Sequence, residues 1–72
     1  MKVRVDLVTK TDLKDFVNSV ADISKEVYLH DNNKFCVSAH SLIGVMCSMD
    51  WKETWVECEE DIYNRISKWV TI

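Results

Sequence analysis

The sequence contains no proline and only one glycine, Gly44. Proline and glycine mark most long loops and sharp turns, so their near absence predicts continuous secondary structure joined by short turns. The chain has 72 residues, and we expect a single domain over residues 1–72. A domain of this size has a small core and little room for a deep substrate cleft.

Two apolar patterns follow one another in the first part of the chain. The alternation from Val3 to Leu7 predicts a first strand. A helical spacing comes next and predicts a helix that begins at an N-cap, Thr9 or Thr11, and ends near Ser24. The apolar face of this helix comprises Leu13, Phe16, Val17, Val20 and Ile23.

The middle of the chain predicts a β-hairpin. Residues 27–29 and 35–37 alternate apolar and other side chains, as strands do. Between them lies Asp31-Asn32-Asn33, and Asn and Asp tolerate the left-handed backbone of tight turns. The two strands are therefore expected to pair through this turn.

The last part predicts a short helix, a strand and a longer helix. Residues from Ser38 to Cys47 are apolar on several sides, which favours a short helix with one face partly exposed. Thr54–Cys58 is expected to be a fourth strand and residues 59–70 a final helix. The inner stripe of that helix is formed by Ile62, Ile66 and Trp69.

The predicted order is β-α-β-β-α-β-α. Strands and helices in this order favour an α+β fold, in which helices cover one face of a four-stranded antiparallel sheet. The expected architecture is therefore a two-layer, open-faced sandwich.

Composition and charge narrow the function classes. The formal net charge is −3, and a nucleic-acid-binding protein usually has a basic surface, so nucleic acid is not expected as a partner. No apolar run reaches the roughly 18–20 residues of a membrane span, and the first residues lack the apolar core of a signal peptide. We therefore expect a cytoplasmic protein without membrane contact.

The cysteines do not form a metal-binding pattern. Cys36, Cys47 and Cys58 are eleven residues apart, and no C-x-x-C pair is present. His30 and His40 are the only histidines that could complete a site, so no metal ligand and no cofactor is expected. We expect reduced, buried thiols that act as small apolar side chains.

The segment His40–Met49, with the sequence HSLIGVMCSM, resembles a segment of one known family. It is similar to the K-S-I-M-G-V-M-S-L segment of HPr from Gram-positive bacteria, the phosphocarrier of the sugar phosphotransferase system. The resemblance implies an HPr-like fold for the whole chain. It also implies protein partners: enzymes of the phosphotransferase system, HPr kinase or a transcription regulator.

The resemblance fails at the family's phosphorylated histidine. That residue lies just before the first helix, in a motif like G-x-H-x-R-P. Aligning Phe16 with the apolar pair of the family's first helix places Thr9 at the histidine, Thr11 at the arginine and Asp12 at the proline. Threonine would form a stable phosphate ester rather than a labile phosphoramidate. Thr9 is thus a degenerate phosphoacceptor position, and we expect neither phosphate transfer by histidine nor another enzymatic activity.

The serine of the family's short helix is retained as Ser41. Two interpretations stay open for it: an N-cap alone, or an N-cap that HPr kinase also phosphorylates. The resemblance implies partner docking through His40, Leu42, Ile43 and Met46. The alternative interpretation is that two of the three apolar side chains, Leu42, Ile43 and Met46, are buried in the core.

The sequence therefore predicts an HPr-like protein of the phosphotransferase system family that acts by docking or regulation through the helix of Ser41. An alternative is a functional phosphocarrier with a displaced acceptor. A third is a decayed paralogue without a partner. A monomer or a weak homodimer is expected in each case.

Overall fold

The computed structural model describes residues 1–71, which contain four strands and three α-helices. The strands are β1 (Lys2–Val5), β2 (Val27–His30), β3 (Cys36–Ser38) and β4 (Thr54–Cys58). The helices are α1 (Lys10–Val20), α2 (Leu42–Met46) and α3 (Tyr63–Ile66). Short 3-10 helices, Cys47–Asp50 and Ser67–Trp69, continue α2 and α3.

The strands form one open antiparallel sheet in the order β1-β4-β2-β3. The predicted α+β class and the four-stranded antiparallel sheet are confirmed. Side chains of one sheet face and of the helices form a single buried cluster, which is the core. The sheet contributes Val5, Val27, Leu29, Val56 and Cys58 to this cluster.

The opposite face of the sheet is open. Neighbouring strands place Lys2, Glu57, Tyr28 and Ser38 in one row across this face. Lys2, Tyr28 and Glu57 are exposed, because successive residues of a strand point to opposite faces. The helices therefore lie on the apolar face only.

Helix α1 has the apolar face that the sequence predicts. Leu13, Phe16 and Val20 are buried, and the ring of Phe16 meets Trp69 edge to face at 5.4 Å between centroids. The helix ends at Val20, before the predicted Ser24, because the chain turns there and the N–H of Ile23 donates to the Val20 carbonyl.

The predicted hairpin is confirmed, with β2 and β3 paired in antiparallel register. The Asp31 carboxylate accepts hydrogen bonds from the N–H groups of Asn33, Lys34 and Phe35, each at 3.0 Å. Asn32 has a φ of 62°, the left-handed conformation that Asn tolerates. Strand β3 begins only at Cys36, since Phe35 closes the turn.

The prediction of a helix over residues 59–70 is wrong in its first part. Helix α3 begins at Tyr63, and the three acids before Ile62 lie outside the helix. The Asp61 side chain instead accepts the N–H of Tyr63 in a local turn. The predicted inner stripe is nevertheless correct, because Ile62, Ile66 and Trp69 are all buried.

The expectation of buried cysteines holds only for Cys58. Cys36 is exposed because it lies on the open face of β3, at the edge of the sheet. Cys47 is exposed because it follows α2 on the side away from the core. None of the helices in residues 1–71 has the length and apolar character of a membrane span.

Candidate docking surface

Helix α2 is seated tightly on the edge strand. The Ser41 side chain caps the helix and accepts the N–H of Gly44 at 3.1 Å. A Cβ at position 44 would come within 3.3 Å of the Val37 Cβ and 3.4 Å of the Ser38 carbonyl oxygen, so glycine allows this close approach. Val45 is the residue of α2 that enters the core.

The other apolar side chains of α2 remain outside the core. Leu42, Ile43 and Met46 are 44%, 79% and 47% exposed. Successive helical residues are turned by about 100°, so a helix of five residues directs only a narrow face toward the core. The alternative that Leu42 and Ile43 belong to the core is therefore wrong.

The apolar surface extends beyond the predicted residues. Met49 lies one helical turn after Met46 and is exposed, as is Val8 in the loop before α1. Met49 and Val8 border one open depression, together with Leu7 and Trp51. We call the exposed set Val8, Leu42, Ile43, Met46 and Met49 the apolar docking surface.

Sequence reasoning missed two members of this surface. Val8 follows Leu7 directly and so breaks the alternation of the first strand, which was the one available signal. Met49 lies at the end of the segment that resembles the HPr family, but only its position after α2 shows that it faces outward.

His40 joins α2 to the end of α1. Its Nε2 atom lies 3.1 Å from the Val20 carbonyl oxygen and can donate to it, and its backbone N–H donates to the Ser38 hydroxyl. The side chain is also exposed, so the predicted role of His40 in docking stays a prediction.

Thr9 is placed away from Ser41. Thr9 caps the N-terminus of α1, whereas His40, the neighbour of Ser41, bonds to the C-terminus of that helix. Eleven residues of helix lie between these ends, a length of about 16 Å. The structure therefore does not bring the two predicted phosphate positions together.

The N-terminus of α1 is already occupied by a carboxylate of the chain itself. Asp12 accepts the backbone N–H groups of Val8 and Thr9 at 3.0 and 3.1 Å. The Thr9 hydroxyl accepts the N–H of Asp12 in return, which completes a capping box. The N–H groups of Thr9 and Val8 hold the pKa of the Asp12 carboxyl below its ordinary value. A phosphate at Thr9 would meet this charge at close range.

Charges around the apolar docking surface are unevenly placed. One flank of α1 faces α3. Arg65 of α3 donates to the carbonyl of Ser19, near the end of α1, and forms a bidentate pair with Asp22 just after it. Helical periodicity places Lys10 and Lys14 on the other flank, toward α2. Both lysines are exposed, so cations border the apolar surface on this side.

Within residues 1–71, no three His, Cys, Asp or Glu side chains are grouped as they would be around a metal ion. Comparison of the chain with protein-family models, with curated proteins and with solved structures finds no match. The resemblance to HPr therefore stays a prediction from residues 40–49 and from the order of the elements.

Proposed function

We propose that the chain is an HPr-like, cytoplasmic docking protein that binds a protein partner through the apolar docking surface and does not carry phosphate on histidine. The observation that carries this proposal is the exposure of Leu42, Ile43 and Met46 on a helix that packs closely against β3 through Gly44. An exposed apolar patch on a small domain marks an interaction site more often than chance.

The element order supports the HPr-like part of the proposal. The elements occur in the order β-α-β-β-α-β-α that the resemblance implies. Residues 40–49, which resemble the HPr segment, coincide with α2 and its 3-10 continuation. The proposed role is binding rather than catalysis.

The partner has an apolar anchor, with acidic side chains on the side that faces Lys10 and Lys14. Leu42, Ile43 and Met46 provide the apolar contact, and methionine adapts to differently shaped partners. Lys10 and Lys14 favour carboxylates at the rim, where charges raise the association rate more than the affinity. The resemblance to HPr implies a first enzyme of the phosphotransferase system, or a transcription regulator, as this partner.

The capping box supports the absence of phosphate transfer. A phosphocarrier needs an imidazole and free helix N–H donors at the start of α1. Here Thr9 replaces the imidazole, and Asp12 uses the donors of Val8 and Thr9. Incubation with phosphoenolpyruvate and the first enzyme is expected to give no acid-labile phosphate on the chain. Acid-labile phosphate would support the alternative, a phosphocarrier with a displaced acceptor.

Ser41 is the proposed site of regulation. Its hydroxyl is exposed and caps α2 beside Leu42, so a phosphate there would place about −1.5 to −2 charge at the rim of the surface. That charge would weaken docking to an acidic rim. HPr kinase and ATP are expected to label the chain but not a Ser41→Ala variant. Absent labelling, or equal labelling of the variant, would remove this part of the proposal.

Calorimetric titration with the first enzyme tests the docking itself. Ile43→Glu is expected to weaken binding at least tenfold, because it places a charge within the apolar contact. Tyr63→Glu is the control, since Tyr63 is also a large exposed side chain, at 46%, but lies on α3. Equal binding by both variants, or no binding by the unmodified chain, would contradict the proposal.

A further inference from the structure

The two edges of the sheet differ. On the β1 edge, the C-terminal segment adds a short ladder: Asp6 N–H donates to the Trp69 carbonyl at 2.8 Å, and Thr71 N–H to the Arg4 carbonyl at 3.0 Å. An isolated bridge between Val5 and Val70 lies between these bonds. This edge is therefore covered by the chain itself.

The β3 edge is open. Backbone N–H and carbonyl groups point toward β2 at three residues, Phe35, Val37 and Ala39. The bonds from Asp31 N–H to the Phe35 carbonyl and from Ala39 N–H to the Val27 carbonyl show this alternation. Antiparallel pairing alternates, so the backbone groups of Cys36 and Ser38 point away from the sheet. Of the residues described, only Ser41 bonds there, through its N–H to the Ser38 carbonyl.

An apolar flank of α2 lies beside this open edge. Gly44 contacts β3 and Val45 enters the core, so the 100° rotation per residue turns Ile43 and Cys47 toward the edge. Leu42 and Met46 are two residues from Gly44 and therefore point away from β3. Both Ile43 and Cys47 are exposed.

The edge and the flank carry no formal charge. Residues 35–49 include no Lys, Arg, Asp or Glu, although 29% of the whole chain is charged. Natural sheet edges often carry a lysine or proline that prevents pairing, and β3 has neither. A second copy of a chain with net charge −3 is repelled least at this neutral strip.

We infer that two copies of the chain pair through their β3 edges in an antiparallel, two-fold arrangement centred on Val37. The spacing of the outward groups is self-complementary, because Cys36 of one copy lies opposite Ser38 of the other. Each copy donates two N–H groups, one of them to a Ser38 carbonyl that also accepts from Ser41 of its own chain. The continuous sheet places the α2 helices side by side, which buries Ile43 and Cys47. This inference is argued separately from the proposed docking function, but both surfaces include Ile43, so a second copy and the proposed partner compete for that side chain.

The dimer is expected to be weak. An interface of standard size buries about 800 Å² per partner, which is roughly a sixth of the 4723 Å² surface of this chain. A strand of three residues and one helix flank supply less than this. The dissociation constant is therefore expected to lie above about 1 µM.

Sedimentation equilibrium over a wide range of concentration tests the dimer. Ser38→Pro deletes an outward N–H without deleting a bond to β2, and proline is tolerated on edge strands. It is expected to weaken the dimer at least tenfold relative to Ser38→Ala, which controls for the lost hydroxyl. Ile43→Lys is expected to weaken it similarly, and Leu42→Lys much less.

Amide exchange and cross-linking locate the interface. Protection of the Cys36 and Ser38 N–H groups is expected to rise with concentration, whereas that of Val37 is unchanged. In a Cys47→Ser variant, a short bismaleimide is expected to join Cys36 of the two copies, whose Cβ atoms lie about 7 Å apart across the pair. A chain that stays monomeric, a Ser38→Pro variant that dimerises like Ser38→Ala, or a dimer without the Cys36 cross-link would overturn the inference.

Discussion

Helices α1 and α2 are neighbours that use their apolar residues in opposite ways. Helix α1 buries Leu13, Phe16 and Val20, and its N-terminus is closed by a reciprocal capping box. Helix α2 has a single hydroxyl cap and buries only Val45. The first helix therefore completes the core, and the second presents apolar surface to solvent.

The starts of the two helices differ as well. The resemblance to HPr places a phosphate position at the start of each helix. Just before α1, the N–H groups of Val8 and Thr9 donate to the Asp12 carboxylate, which stabilises the helix and would repel an incoming phosphate. The start of α2 keeps an exposed serine beside exposed apolar side chains.

The largest expected effect comes from a matched pair of leucines. Leu13 on α1 is 1% exposed, whereas Leu42 on α2 is 44% exposed. Leu13→Ala is expected to lower the free energy of unfolding by about 2–5 kcal/mol, because it leaves a cavity. Leu42→Ala should cost less than about 1 kcal/mol. Urea denaturation measures both, and equal losses would contradict the assignment of α2 to the surface.

The next effect concerns the close packing of α2 against β3 at Gly44. Gly44→Val is expected to cost about 1–3 kcal/mol, because its side chain would press against Val37 and the Ser38 carbonyl. Gly44→Ala is the control, since it adds only the Cβ and should change stability less. Denaturation curves of the two variants check this. A neutral Gly44→Val would mean that α2 does not depend on this close contact.

Removal of the two helix caps should lower the free energy of unfolding by smaller and unequal amounts. Thr9→Ala is expected to lower the free energy of unfolding by about 1 kcal/mol, because it opens a capping box on a helix of eleven residues. Ser41→Ala should cost less, since one bond to Gly44 is lost and α2 is also held by its contact with β3. Thermal unfolding of both variants ranks the caps, and the reverse order would contradict this account.

The smallest effect is the pH dependence of the α1 cap. The folded-state pKa of Asp12 is lowered by the N–H groups of Thr9 and Val8, so its contribution to stability is complete above about pH 4. The contribution is lost as the pH falls through the folded-state pKa. An Asp12→Asn variant should therefore lose stability less steeply below pH 4 than the unmodified chain. If the stabilities of the two chains fell equally steeply below pH 4, ionisation of Asp12 would not contribute to the stability of the fold.

The sequence predicted the elements whose pattern is local. Strand β4 has the predicted bounds, and the face of α1 and the Asp31 turn follow from periodicity and turn chemistry. The late start of α3 was not predictable from its apolar stripe, because the Asp61 turn holds the residues before Tyr63 outside the helix.

The docking surface was predictable only in part. The segment around Ser41 identified α2, but the sequence left open whether Leu42 and Ile43 are buried. Their exposure depends on how α2 sits against Val37, and Val8 joins the surface through the neighbouring loop. Such contacts between distant parts of the chain leave no periodic signal.

The central claim is that α2, and not the open sheet face, binds the partner. Its most direct test is an NMR titration of the labelled chain with the unphosphorylated first enzyme of the phosphotransferase system. We expect the largest shift changes at Leu42, Ile43, Met46 and Met49, with little change at Tyr28 on the open face. Changes centred on Tyr28, with α2 unaffected, would contradict the account.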